Sequence, residues 1–189
     1  PGGEISLAHN GVLFMDELPE FPRVVLESLR EPLENHHILI SRAAQQVMFP
    51  AHFLWVSAMN PCPCGYALDK EIECRCTPDQ IQRYQSKISG PLLDRIDIRL
   101  DIERVPVQRL LYKEKDSESS SALLTRVVTT QEIQWARQKK LNSELNADEL
   151  MRFCPLNKSS IRLIESAVKH FRLSARSYYR TLRLARTVA

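Results

Sequence analysis

The sequence predicts an α/β unit followed by a small α-helical bundle. Two apolar runs, at 11–17 and 53–58, break off into polar residues at strand length. Residues 113–121 contain no apolar side chain and divide the chain. Beyond them, apolar residues recur at helical spacing behind Asn and Ser residues that favour helix starts. With 189 residues there is room for one good core or two small domains.

Taken in order, the run GVLFMDE at 11–17 reads as a strand buried on both faces, as in the middle of a parallel sheet, ending in Asp16 and Glu17. Pro22 starts a helix at its favoured first position, with Val25, Leu26, Leu29 and Leu33 on one face and Pro32 disturbing the last turn. Residues 38–40 and 47–49 flank Ser41-Arg42-Ala43-Ala44 as a short hairpin. Residues 53–58 form a second strand, ending at Met59-Asn60-Pro61. A cysteine-bearing insertion at 62–76 follows, then a polar helix near 77–88, Gly90-Pro91, and a strand at 97–105. After the linker, Thr129-x-x-Glu132 and Asn146-x-x-Glu149 read as capping boxes. Ile161, Ile164, Val168 and Phe171 make one amphipathic face; Ser174 caps a last helix whose Tyr178, Leu182, Ala185 and Val188 face inward. The expected organisation is therefore 1–112 as the α/β part, 113–121 as linker and 122–189 as helices.

The 43% hydrophobic and 26% charged content is ordinary for a soluble globular protein. No apolar stretch approaches the ~18 residues of a membrane span, and the N-terminus has no signal-peptide pattern. The expectation is a cytoplasmic protein with no membrane partner. The chain lacks an initiator Met, which reads as a piece of a longer protein. Charge is unevenly spread: residues 152–189 hold nine basic side chains against Glu165 alone. An anionic partner, such as nucleotide phosphate or nucleic acid, would match that excess; a solvated basic face is the plainer alternative.

Asp16 and Glu17 are the leading chemical pair. Ligands in open α/β sheets gather at the carboxyl ends of strands, where one carboxylate can hold Mg²⁺ on a nucleotide and the next can polarise water. That is a Walker B pattern, although an apolar strand also ends in Asp-Glu by chance. The phosphate-cradling G-x-x-x-x-G-K-[ST] does not occur in these 189 residues, so the pattern makes sense only as the downstream part of a larger ATPase. Asn60 could lie beside the acids if the two strands are neighbours, and a neutral amide there can position water and bond a γ-phosphate; otherwise it is an Asn-Pro turn. Arg95 could serve a neighbouring subunit's nucleotide as an arginine finger, or pair with Asp94 or Asp97. Arg176, in the first turn behind Ser174, is an awkward cation unless a phosphate also approaches that helix end. Arg172, Arg180 and Arg183 extend the stripe or line a solvated face. Cys62, Cys64, Cys74 and Cys76 could close a tetrahedral Zn²⁺ site that staples the insertion, or remain reduced or redox-labile thiols. The paired C-x-C spacing is less specific than C-x-x-C knuckles. Cys154 reads as buried, and His36 and His37 as turn residues.

The segments PGGEISLAHNGVLFMDELPEF, LESLREPLE, SRAAQQVMFPA, SAMNPCPCG, ISGPLLDRIDI and LSARSYYRTLRLART, spread over nearly the whole chain, resemble the AAA+ ATPases of the magnesium-chelatase-like group, bacterial ComM/YifB type. The resemblance implies a partial AAA+ P-loop NTPase core, from Walker B to arginine finger, followed by an α-helical lid. It implies Asp16 and Glu17 as Walker B, Asn60 as sensor 1, Arg95 as arginine finger and Arg176 as sensor 2, with ATP and Mg²⁺ as ligands and the P-loop upstream of residue 1. The family's Pro-Gly-Glu start carries an extra glycine here, Gly2-Gly3. In related clades the hairpin before the sensor 1 strand enters a ring channel and touches DNA, which puts Arg42 near its tip as a phosphate contact; an exposed turn arginine is the alternative. The implied whole is a hexameric ATP-driven motor on single-stranded or branched DNA, in recombination or natural transformation. Two other readings stay open: a non-enzymatic zinc-stapled nucleic-acid-binding module, and a chelatase-type motor remodelling a protein partner. On the first reading these 189 residues alone hydrolyse no ATP.

Overall fold

The computed structural model describes residues 3–42, 45–105 and 118–189. The chain divides into two compact units between Val105 and Pro106. The first is mixed α/β and the second is helical.

In the first unit α1 (Gly3–Leu7) leads into β1 (Val12–Met15), which pairs in parallel with β4 (Leu54–Ser57) in the register Val12↔Leu54 to Met15↔Ser57. Between them lie a 3-10 turn at Leu18–Glu20, helices α2 (Arg23–Ser28) and α3 (Arg30–Asn35), and the antiparallel hairpin β2 (His37–Arg42) and β3 (Gln45–Pro50). Helix α4 (Pro78–Gln85) and the short α5 (Gly90–Leu93) follow the cysteine segment. Thr77 starts α4 with a reciprocal capping box: its hydroxyl accepts the Gln80 N–H and the Gln80 side chain accepts its N–H at 2.9 Å.

The core of this unit gathers Met15, Leu18, Leu26, Leu29, Ile88 and Leu92, with Leu13, Trp55 and Phe21 against it. Burial of β1 on both faces is not observed. Met15 is buried and Leu13 half-buried, but Val12 and Phe14 of β1 and Leu54 and Val56 of β4 stay exposed. Among the described residues β1 has one strand partner, and nothing packs on that side of the pair.

The helix expected from Pro22 is two helices. Pro22 is the residue before α2, and Leu29 is the hinge between α2 and α3; Pro32 lies inside α3, buried. The proline has no N–H to continue a single ladder from α2, so the chain re-starts and keeps both Leu26 and Leu29 in the core. The strand expected at 97–105 does not form: the segment runs without a paired partner among the described residues, and Ile98, Leu100 and Ile102 are exposed. Alternating apolar residues favour extended backbone, but a strand also needs a neighbour to take its hydrogen bonds.

Of the linker, residues 113–117 lie outside the described residues, whereas Ser120 and Ser121 already belong to helix α6 (Ser120–Gln138). The Ser119 hydroxyl caps α6 by accepting the Ala122 N–H at 3.2 Å. Thr129 and Glu132 are thus mid-helix and form no capping box, the stronger start signal lying ten residues earlier at Ser119. A 3-10 turn at Asn142–Glu144 leads to α7 (Ala147–Phe153), α8 (Lys158–Phe171) and α9 (Ala175–Val188). The Asn146–Glu149 box forms reciprocally, at 2.9 Å in both directions. Asn157 and Ser174 cap α8 and α9.

Leu145, Leu150, Cys154 and Leu182 make the second core, with Ile164, Tyr178 and Tyr179 against it. Ala185 and Val188 were expected to face inward and are exposed, as are Ile161 and Phe171 at the ends of the α8 face. The inward place near the end of α9 goes to a polar network instead. Asn142, fully buried, accepts from Arg137 at 2.7 Å and from Gln138 at 2.9 Å, and donates to the Thr187 hydroxyl at 3.0 Å. Its N–H donates to Gln134 at 2.7 Å. Among the described residues no helix is long and apolar enough to cross a membrane.

Candidate functional site

Parallel pairing of β1 with β4 sends both chains out of the sheet at the same end. The ladder continues past the strands: the Ala58 N–H donates to the Met15 carbonyl at 3.0 Å, and the Leu18 N–H to the Ala58 carbonyl at 3.0 Å. These two bonds straddle Asp16-Glu17 on one chain and lead directly into Met59-Asn60 on the other. The condition that the sequence left open, adjacency of the two strands, is therefore met. All three side chains, Asp16, Glu17 and Asn60, are exposed at this carboxyl edge.

Glu17 has left-handed backbone angles, φ 49° and ψ 46°. A non-glycine residue held there costs about 1–2 kcal/mol, and such residues cluster at functional sites. The conformation turns the chain abruptly from strand into the 3-10 turn, and the Glu17 N–H donates back to Asp16 Oδ1 at 2.9 Å.

Helix α4 closes over the asparagine side of this edge, a feature the sequence reading missed. The Asn60 N–H faces the Tyr84 hydroxyl, and Gln85 Nε2 donates to the Pro61 carbonyl at 3.0 Å. Burial pushes the Tyr84 phenol above its ordinary range; the Asn60 N–H counteracts this, while the Glu20 and Glu17 carboxylates add to it. Lys87 pairs with Glu20 at 3.0 Å and lies 5.7 Å from the Tyr84 ring centroid. The only sequence signal for Tyr84 was an aromatic residue in an otherwise polar helix.

Arg95 follows α5 and precedes no strand among the described residues. Its side chain is 11% exposed and is tied down three ways: to the Arg30 carbonyl at 3.2 Å, to the Pro91 carbonyl at 2.6 Å, and to the Glu34 carboxylate. Its ion-pair partner is thus Glu34, from a distant part of the chain, in place of Asp94 or Asp97. Arg42 ends β2 in register with Gln45, on either side of residues 43 and 44, which lie outside the described residues together with the tip expected there.

In the second unit, Arg176 is exposed in the first turn of α9. Arg183 is committed internally: its Nε and its terminal nitrogen both donate to the Leu145 carbonyl, at 2.9 and 2.7 Å. Arg172 ends α8 in left-handed geometry.

The four insertion cysteines converge. Their sulfurs lie within 4.8 Å of one another, with Cys62–Cys64 at 3.4 Å, Cys62–Cys74 at 3.7 Å and Cys64–Cys74 at 3.6 Å. Cys62 is fully buried. N–H groups of Tyr66 and Arg75 donate to the Cys64 sulfur and draw its pKa down to about 6. Burial pushes Cys76 up to about 12. A metal ion could be held by this set. Cys154 lies apart, buried in the second core, and burial raises its thiol pKa.

Residues 1–110 match the family model described as magnesium chelatase, subunit ChlI, and residues 117–189 match that of the ChlI C-terminal part. The protein named YifB of Escherichia coli is 45% identical over 190 residues, covering 100% of this chain and 37% of that protein. Competence protein ComM of Haemophilus influenzae is 44% identical over 187 residues, covering 99% of this chain and 36% of that protein. A YifB protein of Salmonella typhimurium is likewise 44% identical, covering 99% and 37%. The chain thus spans under two-fifths of the length of the curated relatives it matches. It belongs to the magnesium-chelatase-like family, of the ComM/YifB type.

Proposed function

We propose that this chain supplies the downstream half of an ATP-hydrolysing site in an AAA+ ring motor acting on DNA, with 1–112 as core, 113–121 as linker and 122–189 as lid. The observation that carries this reading is the adjacency of Asp16, Glu17 and Asn60 at the carboxyl edge of the parallel β1–β4 pair.

The donor set suits Mg²⁺ and nucleotide: exposed hard carboxylate oxygens at a strand edge, joined by a neutral amide. Bound Mg²⁺ would neutralise charge on the phosphate oxygens. Asp16 would hold the ion, its second oxygen steadied by the Glu17 N–H. Glu17 would accept a proton from the attacking water, and Asn60 would orient that water without adding charge. Arg95 would act on the neighbouring subunit's nucleotide, which requires its guanidinium to leave or share the Glu34 carboxylate. Arg176 would report nucleotide state to the lid. The thiolate cluster would hold structural Zn²⁺.

For DNA as the track, the support is the relative named a competence protein, together with Arg42 at the end of a hairpin strand. A hexamer in the cytoplasm completes the reading. Replacing Asn60 by Ala, or Asp16 by Asn, in the full-length protein should lower ATP turnover at least about tenfold, because each removes a group that positions a reacting atom. Turnover unchanged in both variants would sink the reading.

A further inference from the structure

The segment 62–76 contains no helix or strand and has a single buried side chain, Cys62. Of its larger apolar residues, Tyr66 and Leu68 are exposed and Ile72 is half-buried. Local turns help: the Gly65 N–H returns to the Cys62 carbonyl at 3.0 Å, with Gly65 at φ 85°, and Asp69 Oδ1 accepts the Glu71 and Ile72 N–H groups. None of these ties the two cysteine pairs together; the sulfurs alone do. A Zn–S bond of about 2.3 Å in a tetrahedron places sulfurs about 3.8 Å apart, close to the 3.4–3.7 Å among Cys62, Cys64 and Cys74, with the Cys76 sulfur within 4.8 Å of all three, whereas a disulfide needs about 2.05 Å. Backbone N–H groups of Tyr66 and Arg75 aim at the Cys64 sulfur, and that of Cys76 at Cys74, as an outer shell around metal-bound thiolates does.

The cluster begins two residues after Asn60. Gln85 holds the Pro61 carbonyl from α4, with the Tyr84 hydroxyl facing the Asn60 N–H, and Cys62 is the buried residue that follows in the same turn. We propose that one Zn²⁺ on Cys62, Cys64, Cys74 and Cys76 locks this turn, so that metal occupancy sets the position of Asn60. Tyr84 is then a positioning residue acting through the Asn60 backbone. The metal half stands without the nucleotide reading; its consequence for turnover rests on that reading.

The test uses this chain with zinc, after chelation, and after zinc is restored. One zinc per chain is expected, together with the visible bands of tetrahedral thiolate when Co²⁺ replaces it. Amide exchange at 60–65 and in α4 should quicken at least about tenfold on metal removal and recover with zinc. Cys76→Ser should lose the metal and show the fast exchange; Cys76→His should keep both metal and protection, and Cys154→Ser should keep full zinc content. Iron in place of zinc, a disulfide among the four cysteines, or exchange at 60–65 indifferent to metal would each overturn the proposal. In the full-length protein, Cys76→Ser should lower kcat with little change in ATP affinity. Loss of zinc and protection with kcat intact would refute the link to turnover while leaving the metal lock standing.

Discussion

Single residues divide this molecule into those spent on the fold and those left for chemistry. Arg95 does structural work by its contacts, so removing it has two effects. Arg95→Ala should cost the first unit about 1–3 kcal/mol in chemical denaturation, since it removes the bonds to the Arg30 and Pro91 carbonyls and the ion pair with Glu34. The discriminating variant is Glu34→Gln, which removes the ion pair and keeps the guanidinium. If Arg95 is a finger, full-length Glu34→Gln retains turnover while Arg95→Ala loses it; equal loss in both would leave only the structural role. Asn142 is the matching case in the second unit. Asn142→Ala should destabilise the helical unit by about 2–3 kcal/mol, because Gln138 and Arg137 lose their buried acceptor, and an unfolding free energy in urea lowered by less than about 1 kcal/mol would contradict the network's importance. Neither partnership was legible beforehand. Glu34 and Arg95 are 61 residues apart, and a buried Asn looks in sequence like any turn residue.

At the scale of elements, local signals were read well where the interaction is local and poorly where a partner is required. The hairpin, the strand pair and the caps at Asn146 and Ser174 depend on neighbours a few residues away or on strong apolar runs, and they form. The strand expected at 97–105 fails because alternation cannot supply a partner, and the Thr129 box because Ser119 starts the helix earlier. Asp16, Glu17 and Asn60 were singled out at strand ends, and the structure brings them to one edge, whereas the nearness of Tyr84 to Asn60 comes from how α4 packs. The Asn146 cap makes a pH prediction. Lys140 and then the Asn146 N–H hold the Glu149 carboxyl below its ordinary range. The unfolded state binds this proton more readily, so the stabilisation is present above the ordinary Glu pKa and is lost as pH falls through the lower folded value. Helical content of the second unit should thus fade on acidification below about pH 4.5, and Glu149→Gln should flatten that part of the profile. A profile unaltered by the substitution would show that the cap carries none of it.

For the whole molecule, the two units carry different duties. The first holds the acids, the amide and the thiolates; the second concentrates the basic excess of residues 152–189, although Arg183 is consumed by the Leu145 carbonyl. The β1–β4 pair leaves Val12, Phe14, Leu54 and Val56 exposed side by side, a contiguous apolar surface. The chain spans under two-fifths of its relatives' length. These 189 residues alone should therefore release no phosphate from ATP, because no phosphate-cradling loop occurs among them; turnover by this chain would contradict the shared-site account. The most direct measurement is steady-state ATP hydrolysis by the full-length protein carrying Glu17→Gln, with nucleotide binding measured alongside. If Glu17 takes the proton from the attacking water, turnover falls by about a hundredfold or more while Mg²⁺–ATP affinity is preserved. Turnover within about twofold of the parent protein would show that the carboxylate at the end of β1 is not the catalytic base.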